Sequence, residues 1–273
     1  MPFPWTSIAR LPITAYQHRH RINYWWKTLL VYIEKGDTNI VVMGRPAVGK
    51  SVLVAEMYGE TKDYSWELPD TSTEVESKAI QLSEWTSLVR VIPGQTSLES
   101  YQGIDEAFNK HKNLKGVIYV VDWGFTNVRS SINRKSLVED SKIDSIEKLR
   151  AYNLENEHVD FTKICHKIAE SHAVGRGPEW IIIAVNKADL FFDQIEEALS
   201  YYDADGKSTF AKVIQNMIKT IGNQNIRCSV VPVCSWETDF IWNNETIKTK
   251  IGGTENKREL FRYLLDTIAT LSK

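Results

Sequence analysis

The sequence predicts an α/β fold in three layers, with a mainly parallel central sheet covered by helices on both faces. Three observations carry this. Short β-rich runs, several of them continuously apolar as strands buried on both faces should be, alternate with amphipathic helical stretches. A glycine-rich loop of the form G-x-x-x-x-G-K-S stands between the first such strand and the helix that follows it. The chain, 273 residues and 42% hydrophobic, is long enough to bury one sizeable core.

Before that core comes an N-terminal extension, residues 1–37. Ile22, Trp25, Trp26, Leu29, Leu30 and Ile33 recur at helical spacing and Gly36 follows as a C-cap, so an amphipathic helix is expected over about residues 20 to 35. The first 33 residues contain Arg10, Arg19, Arg21 and Lys27 and no acid. Basic residues beside Trp5, Trp25 and Trp26 are compatible with peripheral contact to an anionic membrane surface, but a tryptophan stripe more often packs, so docking on the domain or on a protein partner is expected.

The domain proper is expected over residues 38–273. Its first strand is "TNIVVM", and Gly44, Arg45, Pro46, Ala47, Val48, Gly49, Lys50 and Ser51 follow as the loop, with Val52 beside it in a helix expected from Ser51 to Tyr58. Glycines at 44 and 49 let the backbone wrap closely around phosphate, so that successive N–H groups and the helix N-terminus face the negative charge. Lys50 adds a point charge at the β- and γ-phosphates, and the Ser51 hydroxyl is a Mg²⁺ ligand. The strands "KAIQL" and "SLVRVI" come next; before them "LPDTSTEVE" offers Thr71, Ser72 and Thr73 as hydroxyls for metal and γ-phosphate, of which Thr73 is preferred. "SLVRVI" runs into Pro93-Gly94-Gln95, and residues 98–111 read as a helix.

The strand "GVIYVV" ends at Asp122, and "WIIIAV" begins at Trp180. The long, polar, weakly patterned segment between them, about 123–178, is expected to be an insertion with one or two helices, among them residues 156–172. After "WIIIAV" stands Asn186-Lys187-Ala188-Asp189, at the carboxyl edge where open α/β sheets bind ligands. An Asp carboxylate there can accept hydrogen bonds from the ring N–H and exocyclic amine of guanine. Adenine offers no matching donors and would leave the carboxylate unpaired, a strong discrimination. The Lys187 stem would cover one face of the base, and Asn186 would tie this loop to the phosphate loop. Helices are expected over 190–199 and 209–221, then the strand "IRCSVVPV", whose end Cys234-Ser235-Trp236 could present a backbone N–H to the guanine O6. Residues 255–271 close the chain as a helix striped by Leu260, Leu264, Ile268 and Leu271, with Thr254 as a possible N-cap.

In this order "GRPAVGKS", "PGQ", "NKAD" and "CSW" resemble the Ras-like small GTPases, over most of residues 38–273. "KGVIYVVDWGF" is similar to the fourth strand of ADP-ribosylation-factor-like members, and "GRPAVGKS" to the loop of Era-like members. The resemblance implies a P-loop GTPase fold, GTP or GDP with Mg²⁺, catalytic roles for Lys50 and for Gln95 in orienting the attacking water, and Gly94 at the γ-phosphate. It implies a switch whose loops order on the triphosphate and engage a regulatory or effector protein through the switches, the N-terminal helix or the insertion. Two departures stand out. The family's D-x-x-G is Val91-Ile92-Pro93-Gly94, and valine cannot hold the metal shell; Pro46 stands where Ras has glycine. Two rival functions follow: a slow Mg²⁺-dependent GTP hydrolase acting as a switch, and a module that holds GTP or GDP for assembly with little hydrolysis.

Composition narrows the remaining classes. Lys plus Arg number 33 against Asp plus Glu 35, a net charge of −2, so nucleic acid is not an expected partner. Three cysteines are too few for a disulfide framework and suggest a reducing, cytoplasmic setting, with Cys165, Cys228 and Cys234 as core or half-buried thiols. The N-terminus lacks a signal-peptide pattern and the six histidines lack metal-ligand spacing.

Overall fold

The computed structural model describes residues 40–58, 76–82, 85–92, 104, 108 and 114–272. The expected N-terminal helix, Thr73, Gly94, Gln95 and most of the 98–111 helix lie outside those residues. Along the chain come β1 (Ile40–Gly44), α1 (Lys50–Tyr58), β2 (Glu76–Leu82), β3 (Trp85–Val91), β4 (Gly116–Val121), α2 (Ser131–Glu139) and α3 (Ile146–Ala173). Then follow β5 (Trp180–Val185), two 3₁₀ turns (Ala188–Leu190 and Phe192–Gln194), α4 (Ile195–Tyr202), α5 (Thr209–Ile221) and β6 (Arg227–Pro232). A small hairpin of β7 (Phe240–Trp242) and β8 (Glu245–Ile247) precedes α6 (Thr254–Leu271).

Six strands form one sheet in the order β2-β3-β1-β4-β5-β6. All neighbours are parallel except β2, which pairs antiparallel with β3 at the edge. This is the α/β fold that the apolar runs predict, and each of the six runs is one strand. β4 and β5 are buried at every position because helices cover both faces. The core accordingly divides in two. On one side Val41, Met43, Val117, Tyr119, Val121, Ile181, Ile183 and Val185 pack against α3, α4 and α5; on the other Ile40, Val42, Ile118, Val120, Ile182 and Ala184 pack against α1 and α6. The alternation along each strand is the two-residue period of the pleat.

The segment 123–178 differs from a simple insertion. Its helix α3 starts ten residues before the expected 156 and runs 28 residues. Two parallel neighbours need a crossover, and α3 is that crossover between β4 and β5, burying Leu149, Phe161, Ile164 and Ile168 in the core. The helix is concealed in the sequence because its inner face also buries polar Asn153 and Glu157. What is added to the layer is the stretch ahead of it, with the exposed helix α2, which buries none of its residues.

The hairpin β7–β8 had no strong sequence signal: three-residue strands carry little periodicity. It turns at Asn243, which takes a left-handed φ of 50° that Asn tolerates. Trp242 Nε1 donates to the Ile143 carbonyl, and the Ile146 N–H donates to Glu245 Oε2 at 2.7 Å, so the hairpin caps the start of α3. At the last helix Gly253 occupies the N-cap, and Thr254 is the first helical residue.

Candidate functional site: the carboxyl edge of the sheet

The loop after β1 turns sharply because Gly44 and Gly49 take φ of 144° and 93°. A Cβ at Gly44 would lie 2.3 Å from the Val120 carbonyl oxygen, and one at Gly49 would lie 2.4 Å from Asn186 Nδ2. Both glycines are therefore required by close approach as well as by φ. The Lys50 ammonium is folded back over the loop, donating to the carbonyls of Gly44 at 3.0 Å and Arg45 at 2.9 Å. Ser51 sits half-buried one residue into α1, at its N-terminal end. Val48 is fully buried and Pro46 exposed, while Arg45, Ala47 and Val52 are half-buried.

Asn186 joins three segments. Its Nδ2 donates to the Val48 carbonyl at 2.8 Å, and its Oδ1 accepts from both the Ser235 N–H and the Ser235 hydroxyl at 3.0 Å. The phosphate loop and the loops after β5 and β6 are thus one assembled edge, although Asn186 and Val48 are 138 residues apart. The Ser235 N–H is committed to Asn186. Trp236 is 38% exposed, with its ring 5.9 Å from the Lys257 ammonium.

Asp189 is buried. Its Oδ1 accepts from the Cys234 thiol at 3.5 Å and its Oδ2 from the Thr238 N–H at 3.2 Å. Burial pushes its pKa up, while those two donors pull it down. Each carboxylate oxygen keeps a further lone pair, so two guanine donors can still be accepted. The Lys187 backbone is left-handed, with φ 60°, and its ammonium forms an ion pair with Asp122 Oδ2 at 2.8 Å and donates to the Phe125 carbonyl. The spacing of "NKAD" shows that Lys187 belongs to the site but not that Asp122, at the end of β4, holds it.

Sequence reasoning missed a polar stripe on α3 behind this edge. Arg45 Nη1 donates to the Asn153 carbonyl at 3.1 Å and Arg45 Nε lies 3.4 Å from Asp160 Oδ2, tying the phosphate loop to α3. Glu157, on the same face, accepts from the Tyr202 hydroxyl at 2.6 Å, and its Oε2 has no partner among the described residues. Burial, then the charge of Asp122, pushes the Glu157 carboxyl up from 4.5 to about 8. Positions 153, 157 and 160 share a helix face by their spacing of four and three, which is the signal that could have found them.

Val91 also differs from a metal-site residue in its surroundings. It is 1% exposed and packs with Ile40, Val42, Val48 and Leu53 in the apolar core. The thiols are free and buried or half-buried, with Cys228 pushed up to about 12 by burial. Among the described residues, no helix is long and apolar enough to cross a membrane.

Sheet order, phosphate loop and the loops after β5 and β6 together define a P-loop nucleotide-binding domain. A family model described as "50S ribosome-binding GTPase" matches residues 39–164. That match covers somewhat under half of the chain, so what it shows is similarity to the P-loop GTPases, with no subfamily singled out. No curated protein matches by sequence. Among solved structures, the mammalian SRP receptor is 15% identical with a TM-score of 0.41, over 72% of this chain and 91% of that one. A dimerization-deficient mutant of Toc33 from Arabidopsis thaliana is 12% identical with a TM-score of 0.40, over 98% and 96%.

Proposed function

We propose that this protein is a GTP-binding switch that hydrolyses GTP slowly and, through its ordered or released loops, controls a protein partner. The observation that carries the nucleotide part is the Asn186 junction, whose own hydrogen bonds join the phosphate loop to the base-side loops. Loops tied to one another by protein–protein hydrogen bonds have less freedom to lose when a ligand binds. Lys50 would neutralise the β- and γ-phosphates, and the N–H groups of residues 45–52 would receive them. Asp189 would accept from guanine, with Lys187 beside the base.

Support for hydrolysis comes from where β3 ends. The Ile92 N–H donates to the Val42 carbonyl at 2.9 Å, two residues before Gly44, so Ile92 lies beside the start of the phosphate loop. Gln95, outside the described residues, would orient the attacking water, as the resemblance implies. Ser51, with Thr73, would ligate Mg²⁺, which would supply neutralising charge at the phosphates. Among the described residues no group of three His, Cys, Asp or Glu side chains is arranged to hold a metal. That donor set suits an ion taking most of its ligands from phosphate and water.

The second reading, a holder of GTP or GDP, is favoured by the buried Val91, which offers no oxygen to the metal shell. Measuring bound nucleotide and the hydrolysis of GTP and ATP, with and without Mg²⁺, separates the two. GTP turnover that Gln95→Ala lowers at least about tenfold, with GDP affinity unchanged, supports the switch. No turnover with tight GTP binding supports the holder, and equal binding of ATP overturns both.

A further inference from the structure

The ion pair behind the base-side loop does more than fill space. Asp122 is fully buried, and its two oxygens are divided: Oδ2 accepts from the Lys187 ammonium at 2.8 Å and Oδ1 from the Thr126 hydroxyl at 2.7 Å. The Phe125 carbonyl also accepts from Lys187, so one ammonium is held at the β4 exit by two groups. That exit loop is in turn fixed by α3. Asn153 Nδ2 donates to the carbonyls of Gly124 at 2.9 Å and Thr126 at 3.1 Å, while the Asn153 carbonyl accepts from Arg45 of the phosphate loop. The Arg150 guanidinium lies 4.2 Å over the Trp123 ring and 4.5 Å over the Phe125 ring, pressing the same loop from outside.

A lysine side chain has four rotatable bonds, and an unheld ammonium would sample water at a considerable entropy cost on ordering. With its head fixed at Asp122, the Lys187 stem has one course, from the end of β5 to the end of β4, along the edge where the base would lie. We propose that Asp122 is a positioning residue for the bound guanine nucleotide, acting through Lys187, and that Asn153 holds the loop in which this pairing occurs. The inference rests on the guanine-nucleotide reading. It adds a determinant of nucleotide residence time from β4, outside the phosphate and base loops themselves.

The test is the rate at which a fluorescent GDP analogue leaves the full-length protein at 25 °C, with melting temperatures measured alongside. The wild type is measured first. If it retains no guanine nucleotide, the functional reading fails and the inference with it; if it retains nucleotide, the variants address Asp122 alone. Asp122→Asn keeps shape and removes charge, and dissociation is expected to accelerate about tenfold. Lys187→Ala accelerates it as well, and the Asp122→Asn, Lys187→Ala double variant is expected to be no faster than Lys187→Ala alone. A merely structural Asp122 would instead multiply the two factors, because independent effects add in free energy. Should Lys187→Ala fail to fold, Thr126→Val removes the other hydrogen bond to Asp122 and is expected to accelerate release about threefold. Dissociation from Asp122→Asn within twofold of wild type, multiplicative factors in the double variant, or an unchanged rate in Thr126→Val overturns the proposal.

Discussion

Glu157→Gln should change how the stability of this protein depends on pH. The carboxyl is completely buried, receives one hydrogen bond from Tyr202, and feels the negative charge of Asp122, with its pKa raised from 4.5 to about 8. Below pH 4.5 it is protonated in both the folded and unfolded states. Between 4.5 and 8 the unfolded chain loses this proton while the folded one keeps it, so stability falls as pH rises. At about 1.4 kcal/mol per pH unit, the window between those values amounts to on the order of 5 kcal/mol, roughly half of it between pH 6 and 8. Glutamine keeps the acceptor for Tyr202 and cannot ionise. Urea unfolding of both proteins from pH 5 to 9 isolates the contribution, since the other titrating groups, among them Asp189 and Asp266 with raised pKa values and His172 with a lowered one, are common to both. Near pH 5 the two should have similar stability, and near pH 8.5 Glu157→Gln should be the more stable by about 3 to 5 kcal/mol. A difference between the curves that stays constant within about 0.5 kcal/mol over that range would refute the assignment of a protonated buried Glu157.

Asp189→Asn exchanges an acceptor for a donor at the base edge, so guanine affinity should fall at least about 100-fold while xanthine nucleotides, with a carbonyl in place of the amine, gain; competition binding measures both. Gly49→Ala places a methyl 2.4 Å from Asn186 Nδ2 at a φ of 93°, and should cost about 2 to 3 kcal/mol in chemical unfolding and weaken nucleotide binding together. Val91→Asp, the substitution that would restore an acid to the switch, instead puts a carboxylate among Ile40, Val42 and Leu53, and calorimetry should show a loss of about 3 kcal/mol or more; unchanged stability would mean that the side chain escapes the core.

The sheet was legible in the sequence because strands buried on both faces must be apolar throughout, and runs such as "GVIYVV" and "WIIIAV" stand out against polar connections. The phosphate loop and "NKAD" were legible for a different reason: a loop that wraps phosphate needs glycine, lysine and serine at fixed offsets, and those offsets are local. α3 was only half legible. Its outer turns carry charge and its inner face carries Asn153 and Glu157, so the apolar stripe is broken where the helix meets the site.

By itself, then, the sequence determined the layered fold, the order of the nucleotide-binding loops and the residue types within each, all of which follow from period and spacing along the chain. Only the tertiary structure decided that Asp122 holds Lys187 across 65 residues, that Arg45 reaches α3 across 108, and that burial pushes the Glu157 carboxyl up. Those facts depend on which strands are neighbours and on how much water the packing removes, and neither is written in the spacing of residues along a chain.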